Sequence, residues 1–155
     1  MLRDADLPVR HMLIWNKTKP TFSFGRLDYD YQHEPILLTW GKRHKKRMKG
    51  MFRSSVWTVP QVPKCDVHPT IKPVILVANA LLNNSDPEDI CMDLFGGSGT
   101  TLIACEQLNR QCRMMEIDPH YCDVIIRRYY DWCIANNKEP RIKLNGKKHF
   151  INKME

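Results

Sequence analysis

The stretch from Asp93 to Pro119, DLFGGSGTTLIACEQLNRQCRMMEIDP, constrains the fold more than any other part of the chain. Residues 90–95 form a short apolar run with one acid, which is typical of a buried parallel strand. The glycines at 96, 97 and 99 predict a tight turn at which side chains would block a bound ligand. Helical spacing over 100–110 and a second apolar run over 112–117 complete the strand–turn–helix–strand unit of an α/β fold.

The charges around this turn indicate which ligand it suits. A dinucleotide fingerprint needs a third glycine where Leu102 stands, and a phosphate loop needs a lysine after Gly99, where none follows. Asp93 would repel a pyrophosphate but suits an ammonium group, and Glu116, 20 residues after Gly96, stands where an acid accepts ribose hydroxyls. S-adenosylmethionine (SAM) carries both groups, so the pattern favours SAM. An ordinary α/β protein with a glycine turn is the alternative.

A strongly basic segment accounts for more than the net charge of +7. Residues 35–64 contain no Asp or Glu, and Trp40, Phe52 and Trp57 are interspersed among the cations, which offers stacking surfaces beside phosphate contacts. This favours nucleic acid as the partner, bound weakly and with a steep dependence on salt, over a basic loop that is only solvated. The cations are Lys42, Arg43, Lys45, Lys46, Arg47, Lys49, Arg53 and Lys64.

Length and composition fit one globular domain. The 155 residues are 43% hydrophobic, and the longest apolar block, 73–82, is too short to span a membrane. The first residues lack the apolar core of a signal peptide. The six cysteines contain no C-x-x-C pair, which predicts reduced thiols in a cytoplasmic protein, with no disulfide framework and no metal site.

The remaining patterns predict strands over 9–17, 31–40, 56–59 and 141–144, and helices over 74–84 and 119–136. Asp118 is the expected N-cap of the last helix, and Pro119 stands at its first position.

Six segments together resemble one protein family. They are LIWNK (13–17), YQHEPIL (31–37), SSVWTVP (54–60), HPTIKPV (68–74), DLFGGSGTTLIACEQ (93–107) and EIDPHYCDVIIRRY (116–129). In this order they resemble the phage and bacterial SAM-dependent DNA amino-methyltransferases of the permuted class, whose SAM motif lies near the C-terminus. The resemblance covers nearly the whole chain. It implies a Rossmann-like α/β fold, with a mostly parallel sheet and helices on both faces, incomplete at the N-terminus.

The resemblance also implies which part of the chain recognises DNA and which part binds the cofactor. It makes 1–155 one methyltransferase domain, with strands and a basic recognition loop (41–55) in residues 1–60 and the cofactor-binding half in 61–155. The implied substrate is double-stranded DNA. Asp93, Phe95, Gly97 and Ser98 would line the methionine end of SAM, Glu116 would hold the ribose, and Gly96, Gly99 and Thr100 would complete the turn. The opposite wall of the cofactor site would be His68, Thr70 and Lys72.

One family feature is missing. The catalytic tetrapeptide of the family, Asp/Asn/Ser-Pro-Pro-aromatic, is absent, because the chain contains no Pro-Pro pair. In the permuted order that tetrapeptide would precede Met1. We therefore expect a C-terminal fragment, or one chain of a split enzyme completed by a second chain or by another copy of itself. A catalytically silent nucleic-acid-binding remnant that still holds SAM is the alternative, and Asp93 and Leu102 disfavour a dinucleotide oxidoreductase.

Without the tetrapeptide, the target base, adenine or cytosine, stays open. His33 and Glu34 are the nearest remaining candidates for polar contact with a base; alternatively, they simply satisfy the end of a strand.

Overall fold

A computed structural model describes Asp4 and residues 6–21, 28–42, 54–63 and 71–149. The predicted strands and helices are confirmed, with ends that shift by a few residues. The elements are β1 (Val9–Thr21), β2 (Tyr31–Thr39), β3 (Val56–Thr58), α1 (Val74–Asn84), β4 (Ile90–Asp93), α2 (Thr100–Gln107), β5 (Gln111–Met114), α3 (Pro119–Ala135), β6 (Ile142–Leu144) and β7 (Lys147–His149).

The sequence analysis missed β7, which forms a hairpin with β6. Its signal is the dipeptide Asn145-Gly146, with φ of 49° and 80°, because two successive left-handed residues make the turn that joins short antiparallel strands.

The first sheet is built around β1, which pairs antiparallel with β2 and parallel with β3. On its inner face, Trp15 and Trp57 lie opposite each other and pack with Leu76 of α1. The indole nitrogen of Trp15 donates to the Val59 carbonyl at 2.7 Å, so this buried polar atom is satisfied. The two tryptophans therefore fix α1 onto the inner face of the first sheet.

The second sheet consists of β4 and β5, paired in parallel from Ile90–Gln111 to Asp93–Met114. Cys91 and Cys112 lie opposite each other and contact the buried Cys105 of α2. Because both strands run in the same direction and end together, the loops that follow them meet at one edge. Helix α1 packs against α2 and so joins the two sheets.

Helix α3 begins as predicted. The Asp118 side chain caps it by accepting from the amide of His120 at 2.9 Å, and Pro119 occupies the first turn. Ile125 is buried on the face of α3 that meets the glycine turn. Among the helices in the described ranges, none is long and apolar enough to cross a membrane.

Two of the described cysteines are buried and chemically quiet. Cys91, Cys105, Cys112, Cys122 and Cys133 carry free thiols, and Cys105 and Cys133 are buried. A hydrogen bond with Cys112, together with burial, raises the pKa of Cys105, and burial raises the pKa of Cys133. The thiols of Cys105 and Cys133 are therefore protonated at neutral pH and are poor nucleophiles.

We predict that Cys105 and Cys133 resist alkylation by iodoacetamide in the native protein. Because their pKa values lie above the ordinary thiol value, thiolate stays scarce even at about pH 8, and burial excludes the reagent. Peptide mass spectrometry should show full labelling of Cys105 and Cys133 only in denaturant. Labelling of the half-buried Cys112 in the same samples serves as the internal comparison. Native labelling of Cys105 as fast as denatured labelling would contradict the packing described here.

Candidate cofactor site

The glycine turn between β4 and α2 depends on small residues. Gly97 and Gly99 have φ of 53° and 78°, in the left-handed region that suits glycine. A Cβ on Gly99 would lie 3.0 Å from the side chain of Ile125 and 3.3 Å from its Cα, and one on Gly96 would lie 2.7 Å from the Met114 sulfur. The amide of Gly99 closes the turn on the Gly96 carbonyl at 2.8 Å. The predicted tight turn is confirmed, and it rests directly on α3.

Glu116 is bound to this turn by its carboxylate. Oε2 accepts from the Gly97 amide at 2.7 Å, and Oε1 accepts from the amides of Ile117 and Asp118 at 2.8 and 3.0 Å. Charge-assisted bonds of this kind are stronger than neutral ones and fix the orientation of the acid. Glu116 and the turn, which the sequence predicts to share a cofactor site, are in contact. The sequence does not predict that Glu116 also holds the turn in place.

Asp93 ends β4 at the same edge. Its Oδ1 accepts from the amide of Phe95 at 3.0 Å, which fixes the carboxylate in a local turn. Phe95 is 88% exposed and Ile117 is 97% exposed, so each loop presents one large apolar side chain beside its acid. Ile117 was missed by the sequence analysis, although an isoleucine between two acids in the tip after β5 is a usable signal.

Ser98 and Thr100 support the turn from inside the protein. Both are buried, and their hydroxyls lie 3.4 Å apart. Thr100 Oγ1 donates to the Lys72 carbonyl at 3.2 Å, and the Arg128 guanidinium of α3 donates to the Ser98 carbonyl. These contacts bring Lys72, a predicted cofactor residue, beside the start of α2. His68 and Thr70, from the same predicted wall, lie outside the described residues.

Glu34 bridges the first sheet and this wall. Its carboxylate lies 2.9 Å from Lys17 Nζ and 3.0 Å from Lys72 Nζ, and both ammonium groups lie over the Trp15 ring. Partial burial raises the pKa of Glu34, but hydrogen bonds from Lys17 and Lys72 outweigh it and hold the pKa below its ordinary value. Glu34 is therefore ionised at neutral pH between two lysines, a cluster that sequence reasoning missed.

The two candidate base-contact residues do not share a surface. Glu34 lies opposite Trp15 on the inner face of the first sheet, whereas His33 lies opposite Asn16 on the outer face. The alternation of side chains along β2 therefore separates them. Glu34 faces the cofactor half, and His33 makes an edge contact with the ring of Tyr31.

Of the cations in the basic segment, the structure describes only Lys42. Lys42 is exposed, and Arg43, Lys45, Lys46, Arg47, Lys49 and Arg53 lie outside the described residues. Near the start of the same segment, the Arg10 guanidinium stands 5.7 Å from the ring centre of Trp40, and the His11 ring stands 5.5 Å from the same ring. Cations and an aromatic surface therefore lie together where the basic segment begins.

Solved structures define the class of fold. A complex of M1.HpyAVI with SAM is 25% identical, with a TM-score of 0.67 over 82% of this chain and 65% of that chain. The cytosine-N4-specific PvuII DNA methyltransferase is 16% identical, with a TM-score of 0.67 over 83% of this chain and 54% of that chain. The chain therefore has the Rossmann-like α/β fold of SAM-dependent DNA methyltransferases, as predicted.

The family follows from the sequence comparison. The profile of the N6/N4 DNA methylases matches residues 1–127, and the chain belongs to this family. The type II methyltransferase M2.MboI of Moraxella bovis is 26% identical over an alignment of 147 residues, and the match covers 84% of this chain and 53% of that protein. M.Cfr9I of Citrobacter freundii is 29% identical over an alignment of 131 residues, and the match covers 77% of this chain and 44% of that protein. The chain thus spans about half the length of these relatives.

We predict that Gly99→Ala destabilises the protein more than Gly146→Ala does. Both glycines have φ near +80°, which costs an alanine about 1–2 kcal/mol, but a Cβ at Gly146 has nothing within 4 Å. At Gly99 it also meets Ile125, which adds about 1–3 kcal/mol of overpacking. Urea unfolding measures the difference. Equal losses for the two variants would show that the turn does not rest on α3.

Proposed function

We propose that this chain is the cofactor-binding part of a SAM-dependent DNA methyltransferase that acts on the exocyclic amine of adenine or cytosine, in the cytoplasm of a bacterium or phage-infected host. The observation that carries the proposal is the Glu116 carboxylate, held by the Gly97 amide at the glycine turn. The relatives named above are methyltransferases, and one solved relative contains SAM.

The residues at the edge of β4 and β5 fit SAM. Asp93 offers an anion for the ammonium group of the methionine end, and Glu116 offers carboxylate oxygens for ribose hydroxyls. Gly96 and Gly99 let the turn pack closely against Met114 and Ile125, because Cβ atoms there would collide with these residues. The exposed side chains of Phe95 and Ile117 suit the faces of an apolar ring. When bound, SAM supplies an activated methyl group on a sulfonium.

The opposite wall is proposed to come from the segment before α1. The backbone carbonyl of Lys72 lies beside the start of α2, and its half-exposed ammonium group, beside Glu34, suits the carboxylate of the methionine end. His68 and Thr70 precede it in the same predicted motif. Ser98 and Thr100 are buried, so we propose that they shape the turn from inside while backbone groups of the turn face the cofactor.

We expect SAM or its demethylated product to bind in calorimetry and NADH not to bind, because Asp93 repels a pyrophosphate. Glu116→Ala should weaken binding by about 1–3 kcal/mol, the cost of losing charge-assisted bonds to the ribose and to the turn. Glu116→Gln keeps one acceptor oxygen and should lose less. Asp131→Ala, an exposed acid on α3, is the matched control. Equal SAM affinity of wild type and Glu116→Ala would show that Glu116 does not contribute to cofactor binding.

Double-stranded DNA is the proposed partner of the basic segment, supported by its charge and by the Arg10–Trp40 contact at its start. Replacing Lys45, Lys46 and Arg47 with alanine should flatten the slope of log affinity against log salt by up to about 3 units, if each meets a phosphate. The matched control replaces Lys143, Lys147 and Lys148, three exposed lysines of the β6–β7 hairpin. An unchanged slope in the first variant would mean that the basic segment is only solvated.

We predict that the 155-residue chain alone binds SAM but does not methylate DNA. Holding both reactants in line supplies about 7–11 kcal/mol of a barrier in the best cases, and the Pro-Pro tetrapeptide that cradles the target amine is not among these residues. The assay is transfer of labelled methyl from SAM to duplex DNA. Mixing with a polypeptide that carries the tetrapeptide should restore transfer.

Two other outcomes of that assay are informative. If SAM binds but the mixture stays inactive, the chain is a silent remnant. If the chain alone transfers methyl groups robustly, the fragment hypothesis is wrong, and His33 and Glu34 become the first residues to replace.

A further inference from the structure

Glu34 stands between two lysines that differ in burial. Its carboxylate lies 2.9 Å from Lys17 Nζ and 3.0 Å from Lys72 Nζ. The side chain of Lys17 is 10% exposed, whereas that of Lys72 is 51% exposed. The three charges of this Lys17–Glu34–Lys72 cluster sum to +1. Because Glu34 compensates a buried ammonium group at Lys17, the excess positive charge of the cluster lies at the exposed Lys72.

Lys72 is held at both its backbone and its side chain. Pro73 follows it, which restricts its backbone to extended conformations, and its carbonyl accepts from Thr100 Oγ1 at 3.2 Å. Its ammonium group is bound by Glu34 and lies 5.4 Å from the centre of the Trp15 ring. A lysine side chain that must be ordered when a ligand binds weakens the affinity. At Lys72 the protein orders the side chain before any ligand arrives.

We propose that Glu34 is a positioning residue for the cofactor. It holds the Lys72 ammonium group where the carboxylate of the methionine end of SAM binds, while Lys17 neutralises the acid, so that Lys72 keeps its charge for the ligand. This inference rests on the proposed function. It assigns Glu34 to the cofactor side of the protein and not to the target base, in agreement with its place opposite Trp15 on the inner face of the first sheet.

Two opposing effects act on carboxylate binding when Glu34 loses its charge. Without its anchor, the Lys72 side chain samples many rotamers, and a carboxylate must order it again, which weakens binding. The charge of the cluster also rises from +1 to +2, which attracts a carboxylate more strongly. Because half of the Lys72 side chain is exposed, solvent and salt screen this added attraction. The loss of the anchor therefore outweighs the gain in charge.

The test compares two ligands by calorimetry. The demethylated product of SAM carries the amino-acid end, whereas 5′-methylthioadenosine has the adenosine and the thioether without that end. Glu34→Gln, and Glu34→Gln combined with Lys17→Met, should each bind the demethylated product about three- to tenfold more weakly and methylthioadenosine like wild type. The combined variant keeps the cluster at +1, so it removes the anchor without changing the charge. It also leaves no buried ammonium group uncompensated, which keeps the test valid if Glu34→Gln alone misfolds.

Glu106→Gln is the matched control. Glu106 also pairs with a lysine, Lys138, at 3.3 Å, but it stands near the C-terminal end of α2, whereas the glycine turn precedes the first residue of that helix. This variant should leave the affinity for both ligands unchanged.

Three results would overturn the inference and leave the proposed function standing. The first is an unchanged or raised affinity of the combined variant for the demethylated product. The second is an equal loss for both ligands, which would give Glu34 a structural role only. The third is wild type that binds both ligands equally tightly, which would mean that no residue contacts the carboxylate. Wild type that binds neither ligand would overturn the proposed function, and this inference with it.

Discussion

The bonds between the Glu116 carboxylate and three backbone amides are the interaction on which the site depends. They link the loop after β5 to the turn after β4, so the two strand ends form one rigid edge. The turn can reach Glu116 only because Gly96 and Gly99 lie against Met114 and Ile125 without side chains of their own. A carboxylate fixed in this way does not have to be reoriented when a ligand binds, which preserves affinity.

A second electrostatic contact joins this edge to the first sheet. Lys72 is tied to α2 through its carbonyl and to β2 through Glu34, while the buried Lys17 neutralises the same acid. Trp15 lies beneath both ammonium groups. The aromatic core of the first sheet is therefore in direct contact with the wall of the proposed cofactor site. A shift of Glu34 in β2 would therefore displace Lys72 in the wall of the proposed cofactor site.

Local patterns were predictable from the sequence, and contacts distant in sequence were not. The glycine turn, the Asp118 cap and the two parallel strands follow from residues that are neighbours in the chain. The family and its fold class follow from six sequence segments spread over residues 13–129. The Lys17–Glu34–Lys72 cluster joins three separate segments, and strand register alone decides that His33 and Glu34 face opposite ways. The Gly97–Glu116 bond was partly predictable, because its two ends were assigned to one site without the bond itself.

We propose that the turn bound by Glu116 is the surface that contacts SAM. Backbone amide spectra of the ¹⁵N-labelled chain, recorded during titration with SAM, test it most directly. We expect the largest shifts at the amides of Gly97 and Ile117, which donate to Glu116, and at the amide of Phe95 beside Asp93. Shifts confined to β1, β2 and β3, or an identical response to NADH, would contradict it.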